Sequence, residues 1–338
     1  MSTEHQPLPK TAQPLEVIAI VGATGTGKSA LADALAAKLG GEVISADSMQ
    51  VYRGMDIGTA KVPVGERSVR YHCIDLVDPG ITFTAALYQQ AARSAVEDIM
   101  SRGKTPVLCG GTGLYVRAAL DDFCFDESRL AELKASNADF LSRREDLKQQ
   151  ASEMGAVAFH ALLQREDPES AALIHPNNVR RVIRAFELLG QGSSYASQHS
   201  GFSDFKAVYR VRFFGLMVEP EVLYPLIEQR VDKMVEVGLL DEVRNLIETG
   251  FSQAITAGQA IGYKELVSVL AGDRLLAEAV AEIKQSTRRY AKRQRTWFKR
   301  DARISWIDAS DVYTEYLDSK LSADDVSTAL LQRLCCLL

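Results

Sequence analysis

A strand, a glycine-rich loop and a helix follow one another near the start of the chain, and no other feature constrains its fold as much. The loop 22–29 reads Gly-Ala-Thr-Gly-Thr-Gly-Lys-Ser, after the apolar run 17–21 and before the alanine-rich run 30–37. Glycines allow the backbone to wrap around a phosphate, and the helix N-terminus presents amide N–H groups to it. The final Lys-Ser pair adds an ammonium charge and a hydroxyl suited to Mg²⁺. The pattern predicts a polyphosphate or diphosphate site formed by Gly22, Ala23, Thr24, Gly25, Thr26, Gly27, Lys28 and Ser29, with Ser29 as the Mg²⁺ ligand.

Composition bounds the class of protein. With 338 residues the chain exceeds the usual size of one hydrophobic core, so a large domain and a smaller one are expected. No apolar run approaches the roughly eighteen residues that a membrane-spanning helix needs. The polar segment 1–14 lacks the apolar core of a signal peptide and is expected to be a disordered tail. Five cysteines without a C-x-x-C pair support neither a disulfide framework nor a zinc site, which favours a cytoplasmic protein.

Apolar runs that alternate with helical segments predict an α/β fold with a doubly wound parallel sheet of the P-loop NTPase type. The predicted strands of the first third are residues 17–21, 42–46, 73–77 and 106–109. Gly22, Asp47 and Gly110 each follow a predicted strand. Because the carboxyl ends of parallel strands meet at one edge, these three loops should open on one crevice.

The pattern then becomes helical and charged, and a further strand is expected within 208–218. This change predicts a helical insertion domain within the sheet domain, followed by a helical C-terminal half. The expected domains are a tail at 1–14, a P-loop catalytic core formed by 15–126 and 203–338, and the insertion at 127–202.

A basic tract stands out in a chain whose net charge is −5. Between Lys284 and Arg303 there are nine basic residues and one acid, Asp301. The bases that recur at helical spacing are Arg288, Lys292, Arg295 and Lys299. A solvated helix face is the ordinary interpretation of such a run. Since the tract itself lacks acidic partners, contact with a nucleic-acid phosphate backbone is favoured over that interpretation.

Several blocks together resemble the tRNA dimethylallyltransferases, also called tRNA isopentenyltransferases. The similarity runs from about residue 17 to 308, in the order of the family. The block D-S-x-x-x-Y-x-G-M-D-I-G-T-A-K is more specific than the phosphate loop, which many families share. The matching blocks are the phosphate loop 22–29 and residues 44–61, 110–115, 175–185, 259–264 and 287–298.

The resemblance implies transfer of a dimethylallyl group from dimethylallyl diphosphate to N6 of the adenosine just 3′ of a tRNA anticodon. The phosphate loop and Mg²⁺ would stabilise the charge that develops on the departing diphosphate, with Lys28 taking part in catalysis. Asp47 is the candidate general base for the weakly nucleophilic amine, although an acid after this strand could instead hold Mg²⁺. Thr112 resembles a substrate-channel residue of the family. Arg230 resembles an arginine directed at the diphosphate, although a surface arginine of a helix would look the same.

The same resemblance assigns residues to the tRNA. The insertion domain would contact the anticodon stem-loop, whose target adenine must leave its stack to reach the crevice. Arg129 is a weaker assignment, because the loop before it is shorter than is usual in the family. His72 and His175 lack a catalytic partner pattern and are expected to be structural. The residues assigned to tRNA are Asp47, Ser48, Met49, Gln50, Thr112, Arg129, Arg180, Arg181, Val182, Ile183, Arg184, Gln259, Ala260, Ile261, Gly262, Tyr263, Lys264, Lys292, Arg293, Gln294, Arg295, Thr296, Trp297, Phe298 and Lys299.

Two other enzyme classes share parts of this pattern. An adenylate isopentenyltransferase would use the same chemistry on free AMP, ADP or ATP, and a P-loop small-molecule kinase would share the phosphate loop. Neither needs a helical insertion and a basic helical tract, so both features favour tRNA as the acceptor. The expected partners are therefore tRNA and dimethylallyl diphosphate, with no membrane and no obligate protein partner.

Overall fold

The computed structural model describes residues 16–122, 137–200, 205–248, 251 and 256–338. The chain divides into two compact units. The larger unit contains the residues up to Asp121 together with Ala207–Leu338, and the smaller is Asp122–Lys206. The boundaries of the smaller unit lie a few residues outside the 127–202 expected from the sequence.

A single six-stranded sheet organises the larger unit. Every neighbouring pair of strands is parallel, and their order across the sheet is β3-β2-β4-β1-β5-β6. This arrangement confirms the α/β fold with a parallel sheet. The strands are β1 (Val17–Gly22), β2 (Glu42–Ser45), β3 (Tyr71–His72), β4 (Pro106–Gly110), β5 (Val211–Met217) and β6 (Ile304–Asp308).

Helices cover the sheet and build the smaller unit. The described helices are α1 (Lys28–Leu39), α2 (Ala85–Ser101), α3 (Gly113–Leu120), α4 (Asn137–Met154), α5 (Ala156–Glu166), α6 (Pro168–Leu173), α7 (Val179–Leu189), α8 (Tyr195–Ser200), α9 (Pro220–Glu236), α10 (Leu239–Glu248), α11 (Lys264–Leu270), α12 (Leu276–Phe298), α13 (Ser310–Leu317) and α14 (Ala323–Cys335). Short 3₁₀ turns occupy Val64–Glu66 and Ala257–Gln259. Within the described residues, no helix combines the length and apolar composition that crossing a bilayer requires.

The centre of the sheet holds the core of the larger unit. All six residues of β1 are buried, as expected for an apolar strand covered by helices on both faces. Leu31 and Leu35 of α1, together with Leu330 of α14, belong to the same buried cluster as Ile20. The C-terminal helices therefore pack in the core that supports the phosphate loop.

The third strand differs from its prediction. Residues 73–77 were expected to be extended, but the strand is Tyr71–His72, which pairs with β2. Cys73 and Asp75 adopt positive φ angles of 60° and 53°, which side-chain-bearing residues rarely adopt. These two residues turn the chain out of the sheet, and only Val77 returns to form an isolated bridge with Tyr52.

The smaller unit is helical and has its own core. Phe159 and Leu163 of α5 pack with Val182 and Ile183 of α7 in one buried cluster. The carboxylate of Asp167 accepts a hydrogen bond from the Ser170 N–H at 3.0 Å and so caps α6.

Candidate active site

The loop between β1 and α1 has the geometry of an anion cradle. Gly27 has φ +77°, and a side chain on it would collide with the Tyr313 hydroxyl. Gly22 has φ +144°, and a Cβ there would lie 2.6 Å from the Leu216 carbonyl oxygen. Both positions therefore require glycine. The amide N–H groups at the start of α1 have no intrahelical acceptors and are available to an anion.

The loop is tightened by its own side chains. The Ala23 carbonyl oxygen accepts hydrogen bonds from the Thr26 hydroxyl, at 2.9 Å, and from the Lys28 ammonium group. Ser29 is partly exposed at the first turn of α1, where its hydroxyl interacts with the Cys109 thiol. Thr26 is buried and supports the loop, whereas Ser29 remains accessible to a ligand.

Two cations and one carboxylate lie close together beside this loop. Burial lowers the pKa of Lys28 to about 8; the charge of Arg230 acts in the same direction, and that of Asp47 opposes it. Burial also lowers the pKa of Arg230, again against the effect of Asp47. Within the described part of the chain, neither cation has a carboxylate at ion-pair distance. The structure thus brings Arg230 of α9 to the phosphate loop, and the cluster can receive an anion of more than one charge.

The loops after β2 and β4 are joined beside Asp47. The Thr112 N–H donates to the Ala46 carbonyl oxygen at 3.1 Å, and the Thr112 hydroxyl oxygen accepts from the Ser48 N–H at 3.1 Å. One Asp47 carboxylate oxygen accepts from the Met49 N–H at 2.9 Å, which leaves the other free of these backbone bonds. The carboxylate, the hydroxyl of Thr112 and the side chain of Ser48 therefore form one polar surface beside the cations.

Helix α12 closes this region with its inward face. Gln294 is buried; its Oε1 accepts from the Thr24 N–H at 2.9 Å, and its Nε2 donates to the Gly111 carbonyl oxygen at 2.9 Å. One turn away, Tyr290 interacts with Thr112 and Gln294; burial, reinforced by the charge of Asp47, raises the pKa of this tyrosine to about 12. The sequence predicted a tRNA contact for Gln294 and no role for Tyr290. The signal that would have found them is their four-residue spacing, opposite the exposed bases of the helix.

The segment after Asp47 is fixed by a second group of side chains, which are buried or partly buried. The Gln50 amide accepts from the Ser45 hydroxyl at 2.8 Å and donates to the Thr59 carbonyl oxygen at 3.2 Å. Glu242 of α10 accepts from the backbone N–H groups of residues 56–58, and the Tyr263 hydroxyl donates to Glu242 at 2.6 Å. These contacts give the D-I-G-T-A-K block and Tyr263 a shared structural role.

The basic tract is better neutralised than the sequence indicated, so the expectation that it lacks acidic partners is wrong. Arg288 pairs with Glu228, and Arg295 pairs with Glu219 at 2.9 Å. These acids lie in and beside α9, which is distant in sequence but packs against α12. Lys284 and Arg303 are also paired, with Asp232 and with Asp121 and Asp301. Within the described residues, the exposed bases of the tract without an ion pair are Arg289, Lys292, Arg293, Lys299 and Arg300.

We refer to those five residues as the basic face of α12. The spacing of Arg289, Lys292 and Arg293 places these three on the side of α12 opposite Gln294, and Lys299 and Arg300 follow directly after the end of the helix. Thr296 is exposed among them, whereas Phe298 is buried and Trp297 packs against Gly113. Burial of Phe298 and Gln294 leaves neither with a surface for RNA, which corrects their assignment as tRNA contacts.

The remaining residues assigned to tRNA divide between surface and core. Arg180 and Arg181 are exposed on α7, whereas Arg184 pairs with Glu187 at 3.1 Å. Arg129 lies outside the described residues. The buried members, which support their surroundings rather than present a surface, are Val182, Ile183, Ala260, Gly262 and Tyr263. The members that are exposed or partly exposed are Ser48, Met49, Gln50, Gln259, Ile261 and Lys264.

The histidines singled out by the sequence have structural contacts. His72 Nε2 lies 2.7 Å from Glu42, at the end of the sheet away from the phosphate loop. His175 Nδ1 accepts from the Asn177 N–H at 3.2 Å within a turn.

Within the described residues, no three His, Cys, Asp or Glu side chains group as metal ligands. A metal ion at this site would take most of its ligands from water and from a bound diphosphate, as Mg²⁺ commonly does.

The fold and the site define a class of protein: a parallel α/β protein with a P-loop, a buried lysine beside a partly buried arginine, and an adjacent carboxylate. The family model described as IPP transferase matches residues 50–301. A curated tRNA dimethylallyltransferase of Geobacillus thermodenitrificans is 45% identical over 88% of this chain and 91% of its own length. That of Bacillus subtilis is 42% identical over 96% of this chain and 98% of its own length. The chain belongs to the tRNA dimethylallyltransferase family, which confirms the resemblance.

Solved structures agree with this membership. The full-length tRNA isopentenylpyrophosphate transferase of Bacillus halodurans is 40% identical, with a TM-score of 0.64 over 95% of each chain. A eukaryotic dimethylallyltransferase acting on tRNA is 29% identical, with a TM-score of 0.70 over 91% of this chain and 81% of the other. The likeness thus extends over both the sheet region and the helical remainder of the chain.

Proposed function

We propose that this enzyme transfers a dimethylallyl group from dimethylallyl diphosphate to N6 of the adenosine 3′-adjacent to the anticodon of tRNA. The products are N6-(dimethylallyl)adenosine and diphosphate. The observation that carries the proposal is the juxtaposition of Lys28 and Arg230 with Asp47 at the carboxyl edge of the sheet. Two cations suit a diphosphate leaving group, and the carboxylate suits a proton acceptor.

In this reaction the N6 lone pair forms a bond to C1 of the allyl group while the C1–O bond breaks. The bonding electrons leave with the diphosphate, whose added negative charge is stabilised by Lys28, Arg230 and the amides of the phosphate loop. Asp47 accepts the N6 proton as the new bond forms. Thr112 holds the loop beside Asp47 through Ser48, so the acceptor side is fixed before the substrate arrives.

Ser29 is the residue that would hold Mg²⁺ together with the diphosphate oxygens. Its hydroxyl is a hard oxygen ligand at the first turn of α1, and Mg²⁺ usually needs one or two protein oxygens when phosphates and water supply the rest. Bound there, Mg²⁺ would neutralise charge on the departing diphosphate.

The anticodon stem-loop is proposed to contact the basic face of α12 and the exposed Arg180 and Arg181. Bases without acidic partners can exchange counterions for RNA phosphates at little cost. An extended basic surface distinguishes binding of tRNA from binding of a free nucleotide, which needs no such surface. The curated relatives bear the name of the tRNA enzyme, which also disfavours the adenylate enzyme and the kinase.

A labelling experiment tests the acceptor. The protein is incubated with radiolabelled dimethylallyl diphosphate and either bulk tRNA or AMP. Label in the tRNA fraction alone is expected. Label in AMP alone would establish the free-nucleotide reaction, and phosphorylation of a small molecule from ATP without prenyl transfer would establish the kinase.

Charge reversal tests the surface. Changing Arg289, Lys292 and Arg293 to Glu is expected to raise the KM for tRNA at least tenfold. The log–log salt slope of tRNA binding should become shallower by about 0.7 to 0.9 for each RNA phosphate that the variant no longer neutralises. The matched control changes the paired Arg288 to Gln, which should alter the salt slope much less. An unchanged affinity and slope in the triple variant would remove the basic face from tRNA binding.

A further inference from the structure

Gln294 joins the two loops that carry the two halves of the reaction. Its Oε1 accepts from the Thr24 N–H in the phosphate loop, and its Nε2 donates to the Gly111 carbonyl oxygen, both at 2.9 Å. The side chain is 5% exposed. A backbone N–H can only donate and a backbone carbonyl can only accept, so the orientation of the amide is fixed by its partners.

The local sequence is adapted to this contact. A side chain at Gly111 would collide with Nε2 of Gln294, and a side chain at Gly113 would collide with Trp297 one turn further along α12. The two glycines therefore allow the helix to approach the loop. Asn would be one methylene too short to reach both loops, and Met would fill the space without either hydrogen bond.

The two partners lie next to the groups that contact the substrates. Thr24 belongs to the loop proposed to hold the diphosphate. Gly111 precedes Thr112, whose hydroxyl accepts from the Ser48 N–H beside Asp47. The distance between the leaving group and the attacking amine thus depends on the distance between these two loops.

We propose that Gln294 is a positioning residue that sets this distance, so that C1 of the donor meets N6 of the acceptor. The inference rests on the proposed function. Gln294 touches neither substrate; it acts through Thr24 and Gly111. A displacement of about 1 Å between reacting groups lowers rates on the order of 100-fold, so loss of the bridge should be visible mainly in kcat.

The first test is Gln294→Met. We expect kcat to fall by about 10- to 100-fold. The Kd for tRNA should stay within about twofold of the wild-type value, because the basic face of α12 is unchanged. The matched control is Gln285→Met, the same substitution at an exposed position of the same helix, which should leave kcat and both KM values unaltered.

The second test is Gln294→Glu, which can be switched by pH. A protonated Glu has the same donor and acceptor as Gln, whereas the carboxylate would repel the Gly111 carbonyl oxygen. Burial next to that oxygen should raise the pKa of the new carboxyl group above its usual range. The ratio of variant to wild-type kcat is therefore expected to increase as pH falls, while the ratio for Gln294→Met stays flat. Dividing by the wild-type value removes any pH dependence that the two proteins share.

A third measurement does not depend on catalysis. Hydrogen exchange at the Thr24 amide should accelerate in Gln294→Met, because its acceptor is removed, and stay unchanged in Gln285→Met. The inference fails if the Thr24 amide exchanges as in the wild type, or if tRNA affinity falls by the same factor as kcat/KM. It also fails if the ratio for Gln294→Glu does not vary with pH. By contrast, absence of label in tRNA with the wild-type protein would count against the proposed function. The hydrogen-exchange result would then still test whether Gln294 bridges the two loops.

Discussion

Two groups of buried and partly buried charged side chains lie towards opposite ends of the same parallel strands, and only one of them is balanced. Glu42, at the start of β2, is surrounded by Arg102, Lys104 and His72. Hydrogen bonds from Arg102 hold the pKa of this carboxyl well below its usual range. Beyond the end of β1, Lys28 donates to the Ala23 carbonyl oxygen, but among the described residues neither Lys28 nor Arg230 forms an ion pair, and Asp47 attracts both only at longer range. Burial lowers the pKa of both cations.

The difference separates a structural cluster from a binding site. A buried charge costs free energy unless it is paired, so a group that only supports the fold is expected to have its partners within the protein. Lys28 and Arg230 retain part of that cost, which a bound anion would relieve. The imbalance itself thus indicates an anionic ligand, which agrees with the diphosphate proposed for this site.

The largest expected effect tests the carboxylate on the unbalanced side. Asp47→Ala should lower kcat by about 10²- to 10⁴-fold, the usual contribution of a positioned proton acceptor. The affinity for dimethylallyl diphosphate, measured by calorimetry, should change little. If this affinity instead depends on raised Mg²⁺ and high metal restores turnover, Asp47 is a metal ligand and not the base.

Lys28→Met should stabilise the protein although it lowers the activity. We expect kcat/KM for the donor to fall by about 10²- to 10³-fold, because a cation facing both bound and departing diphosphate is removed. Thermal denaturation should show a gain of about 1–3 kcal/mol at pH 7, since a desolvated charge is removed. Between pH 8 and the unfolded pKa of 10.5, the wild type holds fewer protons when folded. The stability of the wild type should therefore rise with pH in this range, and the stability advantage of Lys28→Met over the wild type should shrink.

Glu42→Gln should have the opposite outcome, because it disrupts the balanced cluster. Its cationic partners Arg102 and Lys104 are 33% and 45% exposed, so solvent screens part of the loss. We expect a loss of about 1–2 kcal/mol at pH 7 with kcat unchanged. The carboxyl pKa is depressed in the folded protein, so its contribution to stability is fully present above the unfolded pKa and is lost as pH falls from there through the lower folded pKa. Denaturation curves of variant and wild type should converge in acid; a fall in kcat would mean that the cluster supports the site.

The smallest effect is a pH dependence confined to donor binding. Lys28 in the free protein loses its proton near pH 8, whereas the diphosphate complex favours the charged form. The Kd for dimethylallyl diphosphate is therefore expected to rise up to about tenfold per pH unit above 8. Lys28→Arg, which stays charged, should remove this rise, and a flat wild-type profile would show that the ammonium does not face the diphosphate.

The sequence was sufficient to predict those strands and loops whose positions depend on a local pattern of residues. β1 and β4 lie where apolar runs predicted them, and the phosphate loop, Asp47 and Gly110 reach one edge because the strands are parallel. It was insufficient where partners are distant along the chain. Glu219 and Glu228 neutralise bases of a tract that lacks nearby acids, and Glu242 anchors a loop about 185 residues before it. Such pairing depends on how α9, α10 and α12 pack, which helical periodicity does not specify.

The contact between Tyr313 and Gly27 has a consequence for the order in which the protein is made. The phosphate loop belongs to the first segment of the sheet to be synthesised, whereas Tyr313 and Leu330, which pack against it, belong to helices near the opposite end of the chain. Domains fold as their residues leave the ribosome, N-terminal parts first. A chain still attached to the ribosome therefore contains the loop without its covering helices, and the proposed diphosphate site is completed only once α14 has emerged and packed on α1.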